Sequence, residues 1–240
     1  MLELIGLSFS VQEGSEKKHI VNNINLKVED GEFLVVTGPN GSGKSTVAKL
    51  IAGINQPTSG DIMLDGESLL ELSISERARA GVGFAFQQPI RFKGITVRDL
   101  LSIAAGRTLE IDEACEYLSE VGLCAMDYIN REVNASLSGG ELKRIEIALV
   151  IARTPRLCLF DEPEAGIDLW SFHNLIRVFA KMRARSRASM IVISHQERII
   201  EIADRIVVFD AGEIVRCGQR YEVLPSILER DESCDFYKSS

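Results

Sequence analysis

The fold of this chain is decided by one stretch of sequence, Gly38-Pro39-Asn40-Gly41-Ser42-Gly43-Lys44-Ser45-Thr46. The stretch matches the phosphate-loop pattern GxxxxGKS/T, known as Walker A. Its glycines let successive backbone N–H groups turn inward around a phosphate, and the helix that follows points its positive end at the same anion. We expect Lys44 to bridge the β- and γ-phosphates and the Ser45 hydroxyl to bind Mg²⁺. The loop therefore predicts a nucleoside triphosphate site formed by residues 38–46.

The residues on either side of the loop predict an α/β sheet. Phe33–Thr37 is a short apolar run that ends at the loop, which is typical of a fully buried strand, and a helix is predicted from Thr46 to about Ala52. The last third alternates strands at 157–160, 191–194 and 206–209 with helices at 170–184 and 197–203. Strands separated by helices indicate a sheet with right-handed crossovers.

The two remaining parts of the chain have different patterns. Residues 2–5 and 24–28 alternate apolar and polar side chains as half-buried strands do, with a polar turn predicted at 12–18 between them. The middle has helical spacing at 97–101 and 112–118, where Asp112 is a plausible N-cap. We therefore predict one domain over residues 1–228, with a helical subdomain at about 88–153. The polar tail at 229–240 is expected to fray.

A second chemical feature is the apolar strand Leu157–Phe160, which ends in Asp161 and Glu162. Parallel strands present their carboxyl ends at the edge where ligands bind, so Asp161 is expected beside the phosphate loop. We predict that Asp161 holds Mg²⁺, directly or through water. Glu162 faces the other way and is predicted to polarise the attacking water.

Composition excludes several other classes of protein. The chain has 240 residues, with 27 Lys and Arg against 35 Asp and Glu and a net charge of −8, so its surface repels the phosphates of nucleic acid. No apolar run approaches the roughly 18 residues that a membrane helix needs, and the start lacks the order of a signal peptide. The 5 cysteines are scattered without a CxxC pair, which is typical of reduced thiols. We expect a cytoplasmic protein without direct membrane insertion.

Four further motifs follow in an informative order. The first lies between the phosphate loop and the acidic strand end, and it reads Leu137-Ser138-Gly139-Gly140-Glu141. It resembles the signature motif of ATP-binding-cassette (ABC) ATPases. Gln87 resembles the Q-loop glutamine of that family, Ala165–Asp168 its D-loop, and His195 its switch histidine. Ser138–Gly140 also precede a predicted helix, whose free N–H groups form a second anion cradle.

This resemblance implies an ABC-type P-loop fold: a mixed sheet with flanking helices, an N-terminal antiparallel β subdomain and the helical signature subdomain. It implies ATP and Mg²⁺ as ligands, Gln87 as a further metal ligand, and Glu162, His195, Gln87 and Lys44 as the catalytic set. It also implies a transient head-to-tail dimer. There, residues 138–141 of one copy close over the ATP held by the other.

Several stretches outside the shared motifs resemble SufC, the ATPase of SUF iron–sulfur cluster assembly. They are residues 70–73, 76–81, 84–87 with Pro89, 129–134, 138–147 and 195–200. The sequence departs from the usual SUF pattern at Leu137, Leu142 and Ile145, where Phe, Lys and Asn are usual. Val11 takes the place of the aromatic on which many cassettes stack adenine, which also fits the SUF resemblance.

The resemblance implies that the chain drives a conformational change in a soluble SufB- or SufD-like scaffold protein. The alternative is the cytosolic ATPase subunit of an ABC membrane importer. A nucleotide-gated switch without turnover is disfavoured, because Lys44, Glu162 and His195 are all present. Residues 87–94 are expected to touch the partner. We also hypothesise that Lys143 pairs with Glu162 and restrains hydrolysis until a partner binds.

Overall fold

A computed structural model describes residues 1–14, 16–86, 92–134, 136–185 and 188–232 of the chain. Its strands are β1 (Leu2–Glu13), β2 (Glu16–Val28), β3 (Phe33–Thr37), β4 (Ser59–Leu64), β5 (Glu67–Ser68), β6 (Val82–Ala85), β7 (Leu157–Asp161), β8 (Ser189–Ile193), β9 (Arg205–Asp210) and β10 (Glu213–Gln219). Its helices are α1 (Lys44–Ala52), α2 (Ile74–Arg79), α3 (Val97–Ala105), α4 (Ile111–Glu120), α5 (Ala125–Tyr128), α6 (Gly139–Arg153), α7 (Leu169–Arg185), α8 (Glu197–Ile200) and α9 (Arg220–Glu232).

These strands form two sheets. The larger has the order β10-β9-β3-β8-β7-β6, in which β10 is antiparallel to β9 and the other pairs are parallel. The smaller, β2-β1-β4-β5, is antiparallel. The predicted mixed sheet and N-terminal antiparallel subdomain are thus confirmed. Because β3, β8 and β7 are parallel neighbours, their carboxyl ends meet at one edge of the sheet, where ligands bind in α/β folds.

The larger sheet is buried on both faces, as the continuous apolar run in β3 predicts. Phe33 and Val35 belong to one hydrophobic core, and Leu34 and Val36 to the other. Each fully buried side chain of this size contributes about 1.5–3 kcal/mol. The central strand is therefore held from both sides, which gives the loop that follows it a rigid base.

The middle of the chain forms the predicted helical subdomain around α3, α4, α5 and α6. Helix α6 packs on α3, α4 and α7, and its buried apolar side chains join one of the two cores. None of the helices within the described ranges is long and apolar enough to cross a membrane.

Several local predictions need correction. Residues predicted as a turn at 12–18 belong mainly to β1 and β2, which are paired as far as Glu13 and Glu16. Asp112 lies inside the first turn of α4, and Glu110 is its N-cap because it takes part in a capping box with Glu113. Helix α8 ends at Ile200 instead of residue 203, and α9 continues through Glu232 into the segment predicted to fray. The domain boundary at 228 stays a prediction.

The burial of the cysteines leads to a first testable prediction. Cys158 is 1% exposed, and burial raises the pKa of its thiol to about 12, whereas Cys124 is exposed. Since only thiolates react, we expect iodoacetamide at pH 8 to modify Cys124 in the native protein and Cys158 only after unfolding. Peptide mass spectrometry measures this difference. Equal labelling of both cysteines in the native protein would contradict the burial of β7.

Candidate functional site

The phosphate loop that follows β3 contains two glycines, Gly38 and Gly43, that no other residue could replace without strain. Gly38 has φ 133°, and a Cβ there would lie 2.0 Å from the carbonyl oxygen of Phe209. Gly43 has φ 102°, and its Cβ would lie 2.6 Å from the carbonyl oxygen of Ile20. The loop is thus closely packed against strand β9 and against the N-terminal sheet. The loop begins α1 directly, as the Walker A pattern predicts.

Lys44 points back into the loop and is only 5% exposed. Its Nζ donates to the carbonyl oxygens of Gly38 and Pro39, each at 2.7 Å. Burial lowers the pKa of this ammonium, while the charges of Glu162 and Asp161 oppose the shift. A phosphate in the loop would place a further negative charge beside this buried cation and favour its charged form.

Ser45 and Asp161 meet as the sequence predicts. The Ser45 hydroxyl donates to Oδ1 of Asp161 at 2.8 Å. Adjacent oxygen ligands of Mg²⁺ lie about 2.9 Å apart when each is roughly 2.05 Å from the metal. Burial raises the pKa of Asp161, and the neighbouring Glu162 raises it further. A divalent cation would offset that cost, so this oxygen pair fits the predicted Mg²⁺ site.

Glu162, which directly follows Asp161, has an unusual backbone conformation. Its φ is 45°, in the left-handed region, and its N–H donates to the carbonyl oxygen of Ile193 at 3.0 Å. Positive φ in a residue other than glycine is uncommon and occurs where the surrounding structure enforces it. The bond to β8 holds this kink, and the opposite directions of the two carboxylates stay a prediction.

His195 follows β8 and lies beside the phosphate loop. A cavity of about 770 Å³ is lined by His195 together with Gly38, Pro39 and Asn40 of the phosphate loop. Burial lowers the pKa of His195, the charge of Lys44 lowers it further, and Glu162 acts in the opposite direction. The neutral imidazole is therefore favoured at pH 7, where it can accept or donate a hydrogen bond.

The signature residues begin helix α6. The Ser138 side chain accepts from the N–H of Glu141 at 3.3 Å, and the Glu141 carboxylate accepts from the N–H of Ser138 at 2.7 Å. This capping box leaves Gly139 and Gly140 in the first helical turn. Among the described residues outside the helix, the carbonyl oxygen of Gly166 is the one atom within 4 Å of a Cβ on either glycine, at 3.9 and 4.0 Å. The first turn is thus accessible, and the D-loop lies next to it.

Most of the predicted residues are therefore placed, and one is not. Gln87 lies outside the described residues, so its predicted metal contact stays a prediction. Sequence reasoning missed Glu164, whose Oε1 accepts from the Ser194 hydroxyl at 2.5 Å. The Ser194 hydroxyl in turn accepts from the N–H of Gln196 at 3.0 Å. Glu164 thus links the end of β7 to the segment that carries His195. The only signal available was its spacing of two residues from Glu162.

Glu164 leads to a prediction about stability and pH. Burial raises its pKa, and the charge of Glu162 does so as well; hydrogen bonds from Ser194 and from the N–H groups of Glu164 and His195 oppose the shift. A carboxyl whose pKa is raised in the folded state contributes stability to the protein at low pH, and that contribution is lost as the pH rises through the raised pKa. Glu164→Gln keeps an oxygen for Ser194. We therefore expect the free energy of unfolding of the variant, minus that of the parent, to be larger at pH 8 than at pH 4.

The matched control is Glu113→Gln. The exposed Glu113 carboxylate pairs with Arg107, which lowers the pKa of Glu113 to about 2. Its replacement should therefore show the opposite pH trend, with a smaller size because the pair is exposed. Urea unfolding of both variants at the two pH values measures the trends. If the stability of both variants changed with pH in the same direction, the buried environment described for Glu164 would be contradicted.

A phosphate loop between a buried strand and a helix, with an acidic strand end hydrogen-bonded to its serine, defines a P-loop nucleoside triphosphatase. The chain belongs to the ABC family: residues 21–165 match the family model described as ABC transporter. It is an α/β ATPase domain that binds and hydrolyses ATP.

Individual relatives support this assignment. An uncharacterized ABC transporter ATP-binding protein of Methanocaldococcus jannaschii, MJ0035, is 40% identical over 214 residues, 86% of this chain and 85% of its own length. The probable ATP-dependent transporter ycf16 of Pyropia yezoensis is 34% identical over 236 residues, 91% of each chain. Among solved structures, the dimeric ATP-binding cassette MJ0796, bound to ADP and phosphate, has a TM-score of 0.83 at 25% identity. That match covers 92% of this chain and 99% of the other.

Proposed function

We propose that this chain hydrolyses ATP in a transient head-to-tail dimer and thereby changes the shape of a SufB- or SufD-type iron–sulfur cluster scaffold. The observation that carries the proposal is the set of SufC-like stretches, since they extend well beyond the motifs that all cassettes share. The scattered cysteines agree with it, because the cluster would be held by the scaffold and not by this chain.

Each residue of the site has a role in this proposal. Residues 38–46 and Lys44 hold the phosphates of ATP, while Ser45, Asp161 and Gln87 would hold Mg²⁺, which neutralises charge on the phosphates. Glu162 orients and polarises the attacking water. His195 contacts the γ-phosphate in its neutral form, which the lowered pKa favours. The kink at Glu162 lets one strand end serve both the metal and the water.

The proposed dimer follows from the two anion cradles of the chain. The loop at 38–46 is one cradle, and the N-terminal turn of α6, with Gly139 and Gly140, is the other. The cassette MJ0796 is described as dimeric. In the proposed dimer, the ATP in the first cradle of one copy contacts the second cradle of its partner. ATP stabilises the closed pair because it touches both halves, and hydrolysis removes that bridge.

A groove next to the Q-loop supports the action on a protein partner. It has a volume of about 260 Å³ and lies between β6 and helices α3 and α6. Its walls are largely apolar and include Phe84, Phe86, Phe92, Leu100, Ile103 and Leu149. Phe92 belongs to the segment 87–94 that is expected to touch the partner. Large apolar side chains in an open groove are typical of protein interaction sites.

One SufC-like stretch also has an identifiable structural task. Within residues 76–81, Arg77 is fully buried and donates to the carbonyl oxygens of Leu50 and Ile51 at 2.6 and 3.2 Å. These carbonyls end α1, where a cation offsets the helix dipole. The stretch thus fastens the phosphate-loop helix to α2.

The alternative is an ATPase subunit of a membrane importer. It is favoured by the names of the relatives, since both MJ0035 and ycf16 are described as transporter proteins. Both alternatives use the same ATP site and the same groove, and they differ in the partner.

The partner is therefore the decisive measurement. We would purify tagged Glu162→Gln from its native cells with ATP present and identify bound proteins by mass spectrometry, with Lys44→Met as the matched variant that should not bind ATP. We expect a SufB- or SufD-like protein, enriched with Glu162→Gln over Lys44→Met. A polytopic membrane protein in its place would overturn the scaffold proposal and support the importer.

A further inference from the structure

The Glu141 carboxylate, at the end of the signature motif, is hydrogen-bonded to groups of its own chain. Its Oε2 accepts from the backbone N–H of Ser138 at 2.7 Å. Its Oε1 accepts from the hydroxyl of Tyr128, which lies on α5. The guanidinium carbon of Arg131 lies 5.1 Å from the centre of the Tyr128 ring, and Nη2 of Arg131 donates to the carbonyl oxygen of Ser136 at 3.3 Å. We call Tyr128 and Arg131 the Glu141 brace.

The Glu141 brace keeps this carboxylate charged and fixed in orientation. The hydrogen bond from Tyr128 lowers the pKa of Glu141; partial burial opposes the shift, while the hydrogen bonds from Ser138 and the charge of Arg131 add to it. Glu141 is therefore an anion at neutral pH. A hydrogen bond to an ionised acceptor is roughly twice as strong as one between neutral groups, so the Tyr128 hydroxyl holds the carboxylate firmly.

This anion has two opposite effects on the first turn of α6. It stabilises the helix, because its capping box with Ser138 satisfies backbone N–H groups and because its charge is attracted to the positive end of the helix dipole. The same charge opposes the binding of a phosphate, since two anions near one turn repel each other. Gly139 and Gly140 lie in this turn, so the second anion cradle of the chain contains a negative charge of its own.

We propose that Tyr128 and Arg131 are positioning residues for the signature turn, which hold the Glu141 carboxylate in hydrogen bonds of its own chain so that the turn can receive the phosphates of ATP held by another copy. The Tyr128 hydroxyl shares part of the negative charge, and Arg131 places a positive charge over the ring. Both act through Glu141 and not by contact with ATP. This inference rests on the proposed head-to-tail dimer and holds for a scaffold or an importer as partner.

The test removes the Tyr128 hydroxyl in two backgrounds and measures how ATPase activity per chain depends on protein concentration. Tyr128→Phe leaves Oε1 of Glu141 without its donor. We expect the concentration for half-maximal activity to rise about tenfold, because the unshared charge repels the ATP of the other copy and weakens the dimer.

The second background is Glu141→Gln, which removes the charge. This variant should reach half-maximal activity at a lower protein concentration than the parent, although its melting temperature should fall because α6 loses a favourable charge at its N-terminus. Adding Tyr128→Phe to Glu141→Gln should change the half-maximal concentration by less than about twofold, since a neutral amide does not repel phosphate.

Salt and a matched variant provide further controls. Salt screens repulsion between charges near the surface, so the difference between Tyr128→Phe and the parent should shrink as NaCl is raised from roughly 0.05 to 0.5 M. Tyr117→Phe removes a hydroxyl from α4 of the same subdomain and should leave the concentration dependence as in the parent.

The outcomes distinguish the Glu141 brace from the shared site on which it depends. Gly140→Leu obstructs the signature turn itself and should be inactive; a parental rate in this variant would contradict the proposed dimer and this inference with it. If Gly140→Leu is inactive but Tyr128→Phe has the same effect in both backgrounds, Tyr128 has only a structural role and the brace alone is overturned. A parental concentration dependence of Tyr128→Phe would overturn the brace as well.

Discussion

Glu162→Gln is expected to reduce ATP hydrolysis at least about 100-fold while ATP binding is retained, since general-base catalysis typically contributes 10²–10⁴-fold. The amide has the same shape as the carboxylate but cannot draw a proton from water. The N–H bond to Ile193 that holds the kink at Glu162 belongs to the backbone, so the replacement leaves it in place. Bound ATP then persists, and the variant should form a stable dimer with ATP that is absent with ADP.

Size-exclusion chromatography and phosphate release measure the two effects. The matched control is Glu67→Gln, on an exposed residue of β5, which should hydrolyse ATP at the parental rate. Turnover by Glu162→Gln within a few-fold of the parent would show that another group activates the water.

Lys44→Met is expected to abolish the stabilisation of the fold by ATP. Because burial lowers the pKa of Lys44, its ammonium is costly in the free protein, and a Met of similar length should leave the melting temperature without nucleotide nearly unchanged. ATP at 100 times its Kd stabilises a protein by about 2.7 kcal/mol, or roughly 5–10 °C for a chain of this size. The variant should lose nearly all of this shift.

Thermal unfolding with and without ATP measures the difference directly. Lys181→Met, which removes an exposed cation from α7, is the matched control and should keep the full shift. An ATP-induced shift of parental size in Lys44→Met would contradict the assignment of this residue to the phosphates.

The core of the site could be predicted because its determinants are local in sequence. Nine consecutive residues form the phosphate loop, and the acidic pair directly follows an apolar strand. The meeting of Ser45 with Asp161 required only the further rule that parallel strands present their carboxyl ends together.

The residues that were missed depend on long-range packing. Glu164 reaches Ser194, and Glu146 reaches Phe86, across 30 and 60 positions of sequence. No pattern on one helix or strand announces such partners. The prediction that Asp112 is the N-cap was wrong for another reason. Glu110 is an unusual N-cap residue, and its capping box with Glu113 outweighs the ordinary preference for Asp.

The central claim is that each ATP lies between the phosphate loop of one copy and the signature turn of another. Lys44→Met disables the first cradle. Gly140→Leu obstructs the second. It should fold because, among the described residues outside the helix, the atom nearest to its Cβ would be the Gly166 carbonyl oxygen at 4.0 Å. Each variant alone has no complete site, but a head-to-tail pair of the two has one.

The most direct measurement is therefore the ATPase rate of the two variants mixed in equal amounts. The account predicts that hydrolysis appears on mixing and exceeds the sum of the separate rates, since one site of each mixed dimer joins an intact loop to an intact signature turn. A rate equal to that sum would contradict the shared site.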